Sequence, residues 1–193
     1  MQVMETGVPG LVLFEPKVFR DERGFFLESY SRQGFAQVGI DCAFVQDNHA
    51  CSRQPGVLRG LHFQLPPMAQ AKLVWVTRGS VLDVAVDLRS GSPTYGRHYA
   101  VELSAENFWR LFIPRGFAHA YVTLTPDAEF QYKVDAPYSP QHDSGLRWDD
   151  PDLAIPWPEF PGGQPVLSEK DTKLASFRDF QSPFIYEAGG QGC

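Results

Sequence analysis

Two side chains that are costly to bury stand in one short apolar stretch of the sequence. The segment "GVLRGLHFQLPPMAQAKLVW", residues 56–75, carries His62 and Lys72 among residues typical of β-strands. An ionisable group is expensive to bury unless it is paired or hydrogen-bonded. A histidine, with a reference pKa of about 6.5, can accept a proton near neutral pH, and a lysine ammonium can stabilise a developing negative charge. The segment therefore indicates either a wet edge of a sheet or a cavity that uses both groups in proton transfer.

The elements that position these residues are predicted to be short β-strands. In "SVLDVAVDL", residues 80–88, the apolar residues on one face recur with a period of two, and Asp83 and Asp87 fall on the other face. Similar segments, each bounded by Gly, Pro, Asn or Asp, are "LRGLHFQ", "KLVWVTRG", "HYAVELS", "WRLFIPRG", "HAYVTL" and "EFQYKV". Many short strands predict an all-β jelly roll or sandwich. Short helices are predicted within residues 31–39 and 168–177, the second with Ser168 as its N-cap.

The composition favours one domain. The chain has 193 residues, of which 43% are hydrophobic and 13% aromatic, so it can bury a sizeable core, which argues against a disordered or fibrous protein. From about residue 137 the sequence becomes rich in Pro, Asp, Gly and Trp. We therefore expect a single domain over residues 1–185 that includes an irregular C-terminal extension, followed by a flexible tail over residues 186–193.

Charge and cysteine usage exclude several classes of function. The net charge of −6, without basic runs, argues against a nucleic-acid binder and against a protein of anionic membrane surfaces. Cys42, Cys51 and Cys193 are odd in number and lack CxxC spacing, so neither a disulfide framework nor a zinc knuckle is expected. The N-terminus has no basic start, and no stretch approaches the roughly 18 apolar residues of a membrane span. We expect a soluble, cytoplasmic protein.

A first resemblance concerns His62 and the later segment "PRGFAH", which ends at His119. A histidine followed by this second motif resembles the pattern of the cupin superfamily, whose metal-binding members carry a second histidine two residues after the first and a nearby acid. Here Gln64 replaces that histidine, and Lys72 stands at about the place of the acid. An ammonium group repels a divalent cation, and a glutamine is a poor substitute for imidazole. The resemblance implies a cupin-type jelly roll, and the changes predict a site without metal.

A closer resemblance covers residues 10–171. The blocks that carry it are "FVQDNHACSRQPGVLRGLHFQ", "AKLVWVTRGSVLDVAVDLRSGSPTYG", "LSAENFWRLFIPRGFAHAYVTL", "YKVDAPYSPQHDSGLRWDDPDLAIPWP" and "LSEKD". In sequence and order they are similar to the dTDP-4-dehydrorhamnose 3,5-epimerase family, although the family often has "NHSRS" and "LHYQ" where this chain has "NHACS" and "LHFQ". The resemblance implies an isomerase of deoxysugar biosynthesis that inverts C3 and C5 of dTDP-4-keto-6-deoxy-D-glucose. Because the C4 ketone acidifies both C–H bonds, no cofactor is expected.

The resemblance assigns four residues to proton transfer. His62 is the base, and Asp171 in "LSEKD" orients it. Lys72 binds the ketone oxygen, and Tyr132 in "EFQYKV" donates a proton to the opposite face of the sugar. Taken singly, each has a plainer interpretation: a hydrogen-bonded strand histidine, an acid in the first turn of a helix, a strand-end lysine and a core aromatic residue.

The resemblance also implies a set of substrate-binding residues. The diphosphate is expected near Arg23, Arg59, His119 and Lys170, the sugar beside Tyr138, and thymidine near Phe19, Phe26, Glu28, Gln46 and Asn48. Strict alternation places Arg59 on the face opposite to His62, so we expect a bulge at Gly60 that turns both toward one cavity. The family further implies a homodimer that exchanges its early strands, so that some thymidine contacts come from the partner subunit.

Three alternatives stay open from the sequence. A related mono-epimerase would act at C3 or C5 only, on another dTDP-keto-deoxysugar. A metal-dependent cupin would need a bound metal ion. A non-catalytic nucleotide-sugar binder would retain Arg59 and Phe26 without the proton-transfer residues. The joint presence of those residues argues against it: His62, Lys72, Tyr132 and Asp171.

Overall fold

The structure is a computed structural model that describes residues 1–189 and 193. Within these residues the helical elements are α1 (Arg32–Ala36) and a 3-10 turn (Asp171–Lys173). The strands in chain order are β1 (Gln2–Glu5), β2 (Val12–Glu15), β3 (Val18–Asp21), β4 (Gly24–Leu27), β5 (Gln46–Ser52), β6 (Leu58–Gln64), β7 (Lys72–Arg78), β8 (Ser80–Asp87), β9 (His98–Ser104), β10 (Arg110–Ile113), β11 (Phe117–Thr123), β12 (Ala128–Val134) and β13 (Asp143–Gly145).

Two antiparallel sheets face each other. The larger has the strand order β1-β2-β10-β7-β12-β5, the smaller has the order β13-β6-β11-β8-β9, and β3 and β4 form a separate hairpin. Apolar side chains of both sheets pack between them, including Leu13, Val76 and Phe130 from the larger sheet and Val81 and Phe117 from the smaller. Complete burial of a side chain of this size contributes about 1.5–3 kcal/mol. The predicted all-β, cupin-type jelly roll is confirmed.

Irregular segments cover the outer faces of both sheets. Phe35 of α1 packs against Leu73 on the outside of the larger sheet. The C-terminal segment brings Leu153 and Phe184 against Val86 on the outside of the smaller sheet. Strand β8 is therefore covered on both faces, and its inward-facing Asp83 and Asp87 are fully buried.

The predicted elements compare well with the observed ones. The segments predicted as strands between residues 58 and 134 form β6 to β12. The helix expected within residues 31–39 is present as α1, and the Ser31 side chain accepts a hydrogen bond from the Gly34 N–H at 3.2 Å. The second predicted helix is reduced to the 3-10 turn, which begins at Asp171.

The C-terminal extension is pinned to the jelly roll by short backbone contacts. Val166 bridges to Val57, and Ala175 bridges to Leu146. After Val134 the regular elements among the described residues are β13 and the 3-10 turn. The extension thereby brings the 3-10 turn against β6, while the domain limits given above stay predictions.

The prediction that excluded disulfides is wrong for one pair of cysteines. Cys42 and Cys193 are joined by a disulfide across a separation of 151 residues, and Cys51 is free. The pair leaves no signal in local spacing, because the chain end folds back on the segment that follows α1. Residues 190–192 of the predicted flexible tail lie outside the described residues. No helix in the described part of the chain is long and apolar enough to cross a membrane.

Candidate active site

A cavity of about 400 Å³ opens between the two sheets. Strands of both sheets and the segment 166–171 line it. Six of the residues predicted for the site contribute to its wall: Arg59, His62, Lys72, His119, Tyr132 and Asp171. The sequence-based set of proton-transfer residues is therefore brought together in one cavity.

A bulge in β6 turns Arg59 and His62 to the same side. In the pairing of β11 with β6, His119 is opposite His62 and Tyr121 is opposite Arg59. The two residues of β11 are two positions apart, whereas the two residues of β6 are three positions apart, so β6 holds one extra residue. Gly60 lies in this bulge with a φ of +130°, and a Cβ atom at this position would collide with the Cβ of Ala120. The predicted bulge at Gly60 is confirmed, and it requires a residue without a side chain.

His62 is held by a buried carboxylate from the C-terminal extension. Its Nε2 lies 2.5 Å from Oδ1 of Asp171, and the Ser168 hydroxyl donates to Oδ2 of the same carboxylate at 2.8 Å. Burial raises the pKa of Asp171, but the hydrogen bond and charge of His62 and the bond from Ser168 outweigh this effect, so the pKa lies below its usual value. An ionised Asp171 fixes the proton of His62 on Nε2 and leaves Nδ1 free to accept another.

Lys72 begins β7 and is only 9% exposed. Burial lowers the pKa of its ammonium group to about 8, although the negative charges of Asp83 and Asp143 act in the opposite direction. The group is therefore a cation at neutral pH in a poorly solvated place, where its field on a bound oxygen is stronger than in water.

A second histidine–carboxylate pair lies beside the first. His119 is directly opposite His62 in the sheet, and its Nε2 lies 2.9 Å from Oδ2 of Asp83. Burial lowers the pKa of His119, and the charges of Lys72 and His62 lower it further. The charge and hydrogen bond of Asp83 raise the pKa, but by less than burial lowers it. Oδ1 of Asp83 is buried without a hydrogen-bond partner among the described residues. His119 is thus neutral at neutral pH and lies deep in the cavity.

Tyr132 faces the cavity from the other sheet. It lies on β12, whereas His62 lies on β6, so the phenol and the imidazole come from opposite walls. Burial raises the pKa of Tyr132, with a smaller opposing effect from the charge of Arg59. Its ring is 6.1 Å from that of Phe130, which in turn stacks on Tyr121 at 4.0 Å. The phenol remains protonated at neutral pH and can act as a donor.

Four further predicted residues cluster beside the cavity rather than in its wall. The Tyr138 hydroxyl donates to Asp143 at 3.0 Å, and Lys170 pairs with the same carboxylate. Gln46 donates to Asn48 at 2.9 Å and accepts a bond from the Tyr138 N–H at 3.1 Å. Asn48 lies directly opposite Tyr132 in the sheet, so this polar group borders the site.

The remaining predicted residues lie on and just after the β3–β4 hairpin. Phe19 and Phe26 pack on each other with ring centroids 6.4 Å apart and remain 52% and 69% exposed. Arg23 forms an ion pair with Asp21 of its own hairpin. Neither these residues nor Glu28 line the main cavity of the single chain.

Sequence reasoning missed Asp83, Ser168, Asp143 and Tyr121. Asp83 left a usable signal, because an acid in the middle of an otherwise apolar strand needs a buried partner. The sequence indicated only a helix cap for Ser168, whereas its hydroxyl donates a hydrogen bond to the carboxylate of Asp171. Asp143 and Tyr121 left no signal in local pattern. No group of three or more His, Cys, Asp or Glu side chains in the described chain is placed to hold a metal ion.

Comparison with known proteins identifies relatives of nearly full length. The family model described as dTDP-4-dehydrorhamnose 3,5-epimerase matches residues 5–179. A dTDP-4-dehydrorhamnose 3,5-epimerase of Shigella flexneri is 49% identical over 180 residues, which are 93% of this chain and 97% of that protein.

Two solved structures are also similar. The epimerase of Bacillus anthracis with TDP and PPi bound has a TM-score of 0.88 and 46% identity, over 91% of this chain and 99% of that one. The enzyme of Legionella pneumophila in complex with dTDP-4-keto-L-rhamnose has a TM-score of 0.91 and 41% identity, over 96% and 99% of the two chains.

Proposed function

The chain belongs to the dTDP-4-dehydrorhamnose 3,5-epimerase family, and from this premise we propose how its own side chains perform the reaction. The enzyme is an isomerase that converts dTDP-4-keto-6-deoxy-D-glucose into dTDP-4-keto-L-rhamnose by inverting C3 and C5. The observation that carries the mechanism is the His62–Asp171 pair on one wall of a cavity that has Tyr132 on the opposite wall.

His62 is the base. Its Nδ1 takes the proton from the carbon next to the C4 ketone. The electron pair of the broken C–H bond forms a double bond to C4, and the π pair of the C4 carbonyl moves to its oxygen, which gives the enolate. Asp171 accepts the Nε2 hydrogen bond at 2.5 Å and stabilises the imidazolium that results. In this scheme His62 carries the proton, and Asp171 only orients the imidazole and does not take the proton from it.

Lys72 stabilises the enolate oxygen. Its buried ammonium group donates to the C4 oxygen as negative charge develops there. A preorganised donor at such an oxyanion contributes about 3–4 kcal/mol to the lowering of the barrier. The pKa of about 8 is compatible with this role, because the group stays charged at neutral pH.

Tyr132 completes the inversion. Its hydroxyl delivers a proton to the face of the carbon opposite to His62, and the enolate returns to the ketone. One proton has then left the carbon for His62 and another has arrived from Tyr132. Both side chains exchange protons with solvent before the second carbon reacts.

The substrate-binding roles and the homodimer are proposals of the same kind. Arg59, which the bulge turns into the cavity, suits a diphosphate, because a guanidinium binds phosphate oxygens in a fork. The exposed Phe19 and Phe26 support a hairpin that reaches a second subunit and packs on its thymidine. We place the enzyme in the cytoplasm, where nucleotide sugars are made, although the Cys42–Cys193 disulfide removes the support that cysteine usage lent to this location.

Deuterium incorporation tests the mechanism. The purified enzyme is incubated with dTDP-4-keto-6-deoxy-D-glucose in heavy water, and deuterium at C3 and C5 is followed by NMR. We expect deuterium at both carbons, and in the His62→Ala variant we expect none while the Kd for dTDP changes by less than about threefold. Exchange at neither carbon by the native enzyme would refute the epimerase mechanism, and exchange at one carbon would make it a mono-epimerase. Loss of exchange after removal of metals by a chelator would favour a metal-dependent cupin.

A further inference from the structure

A second phenol lies in the cavity and has no role in the mechanism above. Tyr121 is 5% exposed and lines the same wall as Arg59 and His62. Its ring is fixed, because it stacks on Phe130 with a centroid distance of 4.0 Å and an interplanar angle of 16°. A buried tyrosine usually has a partner for its hydroxyl, so its surroundings indicate what it binds.

Polar groups of both kinds surround the Tyr121 side chain: the cation of Arg59, the carboxylate of Asp83 and the hydroxyl of Ser52. Arg59 is its direct partner across the β6–β11 pairing, and a guanidinium only donates hydrogen bonds. Ser52 is also close, and its hydroxyl is buried without a hydrogen-bond partner among the described residues. Burial raises the pKa of Tyr121 to about 12 against the opposing charge of Arg59, so the phenol keeps its proton at any working pH. Within the described residues the Tyr121 hydroxyl makes no hydrogen bond, so it is free to donate to a ligand in the cavity that it lines.

The position of Tyr121 argues against a role in proton transfer. It lies on β11 of the five-stranded sheet, the same wall that carries His62, whereas Tyr132 lies on the opposite wall. A donor on the side of the base returns a proton to the face from which it came. Tyr121 is also two residues beyond His119, the partner of His62, so it lies toward Arg59 and away from the base.

We propose that Tyr121 is a further substrate-binding residue, whose hydroxyl donates a hydrogen bond to an oxygen of the substrate diphosphate beside Arg59. The proposal rests on the proposed function, in which Arg59 holds the diphosphate. It assigns to this chain a neutral donor that contributes to affinity for the nucleotide diphosphate and not to the rate of proton transfer. Hydrogen bonds to charged acceptors are stronger than those between neutral groups.

The test is the Tyr121→Phe variant, which removes only the hydroxyl. Binding of dTDP and of thymidine is measured by calorimetry, and turnover of the keto-sugar by the deuterium assay. We expect the Kd for dTDP and the KM to rise about tenfold, whereas kcat changes less than twofold and the Kd for thymidine is unchanged. Tyr99→Phe is the matched control, because Tyr99 is a partly buried tyrosine of the same sheet outside the cavity.

Other outcomes would overturn the proposal. An unchanged Kd for dTDP would mean that the hydroxyl does not contact the diphosphate, and equal weakening for thymidine would mean a general structural effect. A fall in kcat with loss of deuterium at saturating substrate would make Tyr121 a proton-transfer residue. Because dTDP binding is measured without turnover, a failure of the epimerase mechanism leaves this result readable. As a further check, Arg59→Lys is made in the native enzyme and in the Tyr121→Phe variant. If both side chains bind the same phosphate, their losses of dTDP affinity are not additive.

Discussion

The buried ammonium group of Lys72 predicts an alkaline limit to catalysis. The mechanism needs this group charged, and its pKa lies at about 8 instead of the 10.5 that is usual for lysine. The charged form therefore predominates below pH 8 and is lost above it. With a single ionisation, kcat/KM falls to about half of its plateau at pH 8 and to about one tenth at pH 9.

Two substitutions test the origin of this limit. Lys72→Arg replaces the ammonium group by a guanidinium, whose reference pKa lies well above that of lysine, so the activity is reduced but the fall between pH 8 and 9 disappears. Asp83→Asn removes a negative charge that raises the pKa of Lys72, so the fall moves to lower pH. Lys133→Met is the matched control, because Lys133 pairs with Asp47 outside the cavity.

The assay is the initial rate of deuterium incorporation from heavy water between pH 6 and 10, at substrate concentrations well below KM. Thermal unfolding at each pH separates loss of the ionised group from loss of the fold. A native profile that is flat to pH 10 would refute the assignment. So would a Lys72→Arg profile that keeps the same alkaline fall, since the titrating group would then lie elsewhere.

Two further predictions concern the opposite wall and the bulge. Tyr132→Phe removes the proton donor but leaves the base. We therefore expect deuterium to enter at C3 or C5 by return from His62, whereas the rate of inversion falls by at least about 100-fold. Equal losses of exchange and inversion would contradict separate roles for His62 as base and Tyr132 as donor. Gly60→Ala forces a Cβ against Ala120 at a φ of +130°, so we expect the free energy of unfolding in urea to fall by more than about 2 kcal/mol. Gly162→Ala is the control: a Cβ there meets open space, and we expect a change of less than about 1 kcal/mol.

The parts of the fold that follow from local pattern were predictable. Period-two alternation and turn residues locate β6 to β12, because a strand buried in a sandwich must alternate with the pleat. The Gly60 bulge was also predictable, since Arg59 and His62 cannot otherwise share a face. The Cys42–Cys193 disulfide was not, because its two ends are 151 residues apart and no local pattern reports a long-range contact.

Site residues that lie on regular strands were predictable from the sequence. Contacts between segments that are far apart in the sequence were less predictable. His62, Lys72 and Tyr132 lie on regular strands, so their faces follow from alternation once the bulge is placed. Asp171 depends on an irregular extension, and its contact with His62 is set by bridges such as that of Val166 to Val57. Tyr121 carries no local sign of function, because a tyrosine in a core strand is ordinary.

The cavity contains two histidine–carboxylate pairs, and their surroundings separate their tasks. The His62 side chain is 30% exposed, so it can meet substrate and exchange its proton with solvent. The His119 side chain is 7% exposed, and burial together with the charges of Lys72 and His62 keeps its pKa low. In the proposed mechanism the more exposed His62 acts as the base, whereas the buried His119 stays neutral, because the solvation of the two imidazoles differs.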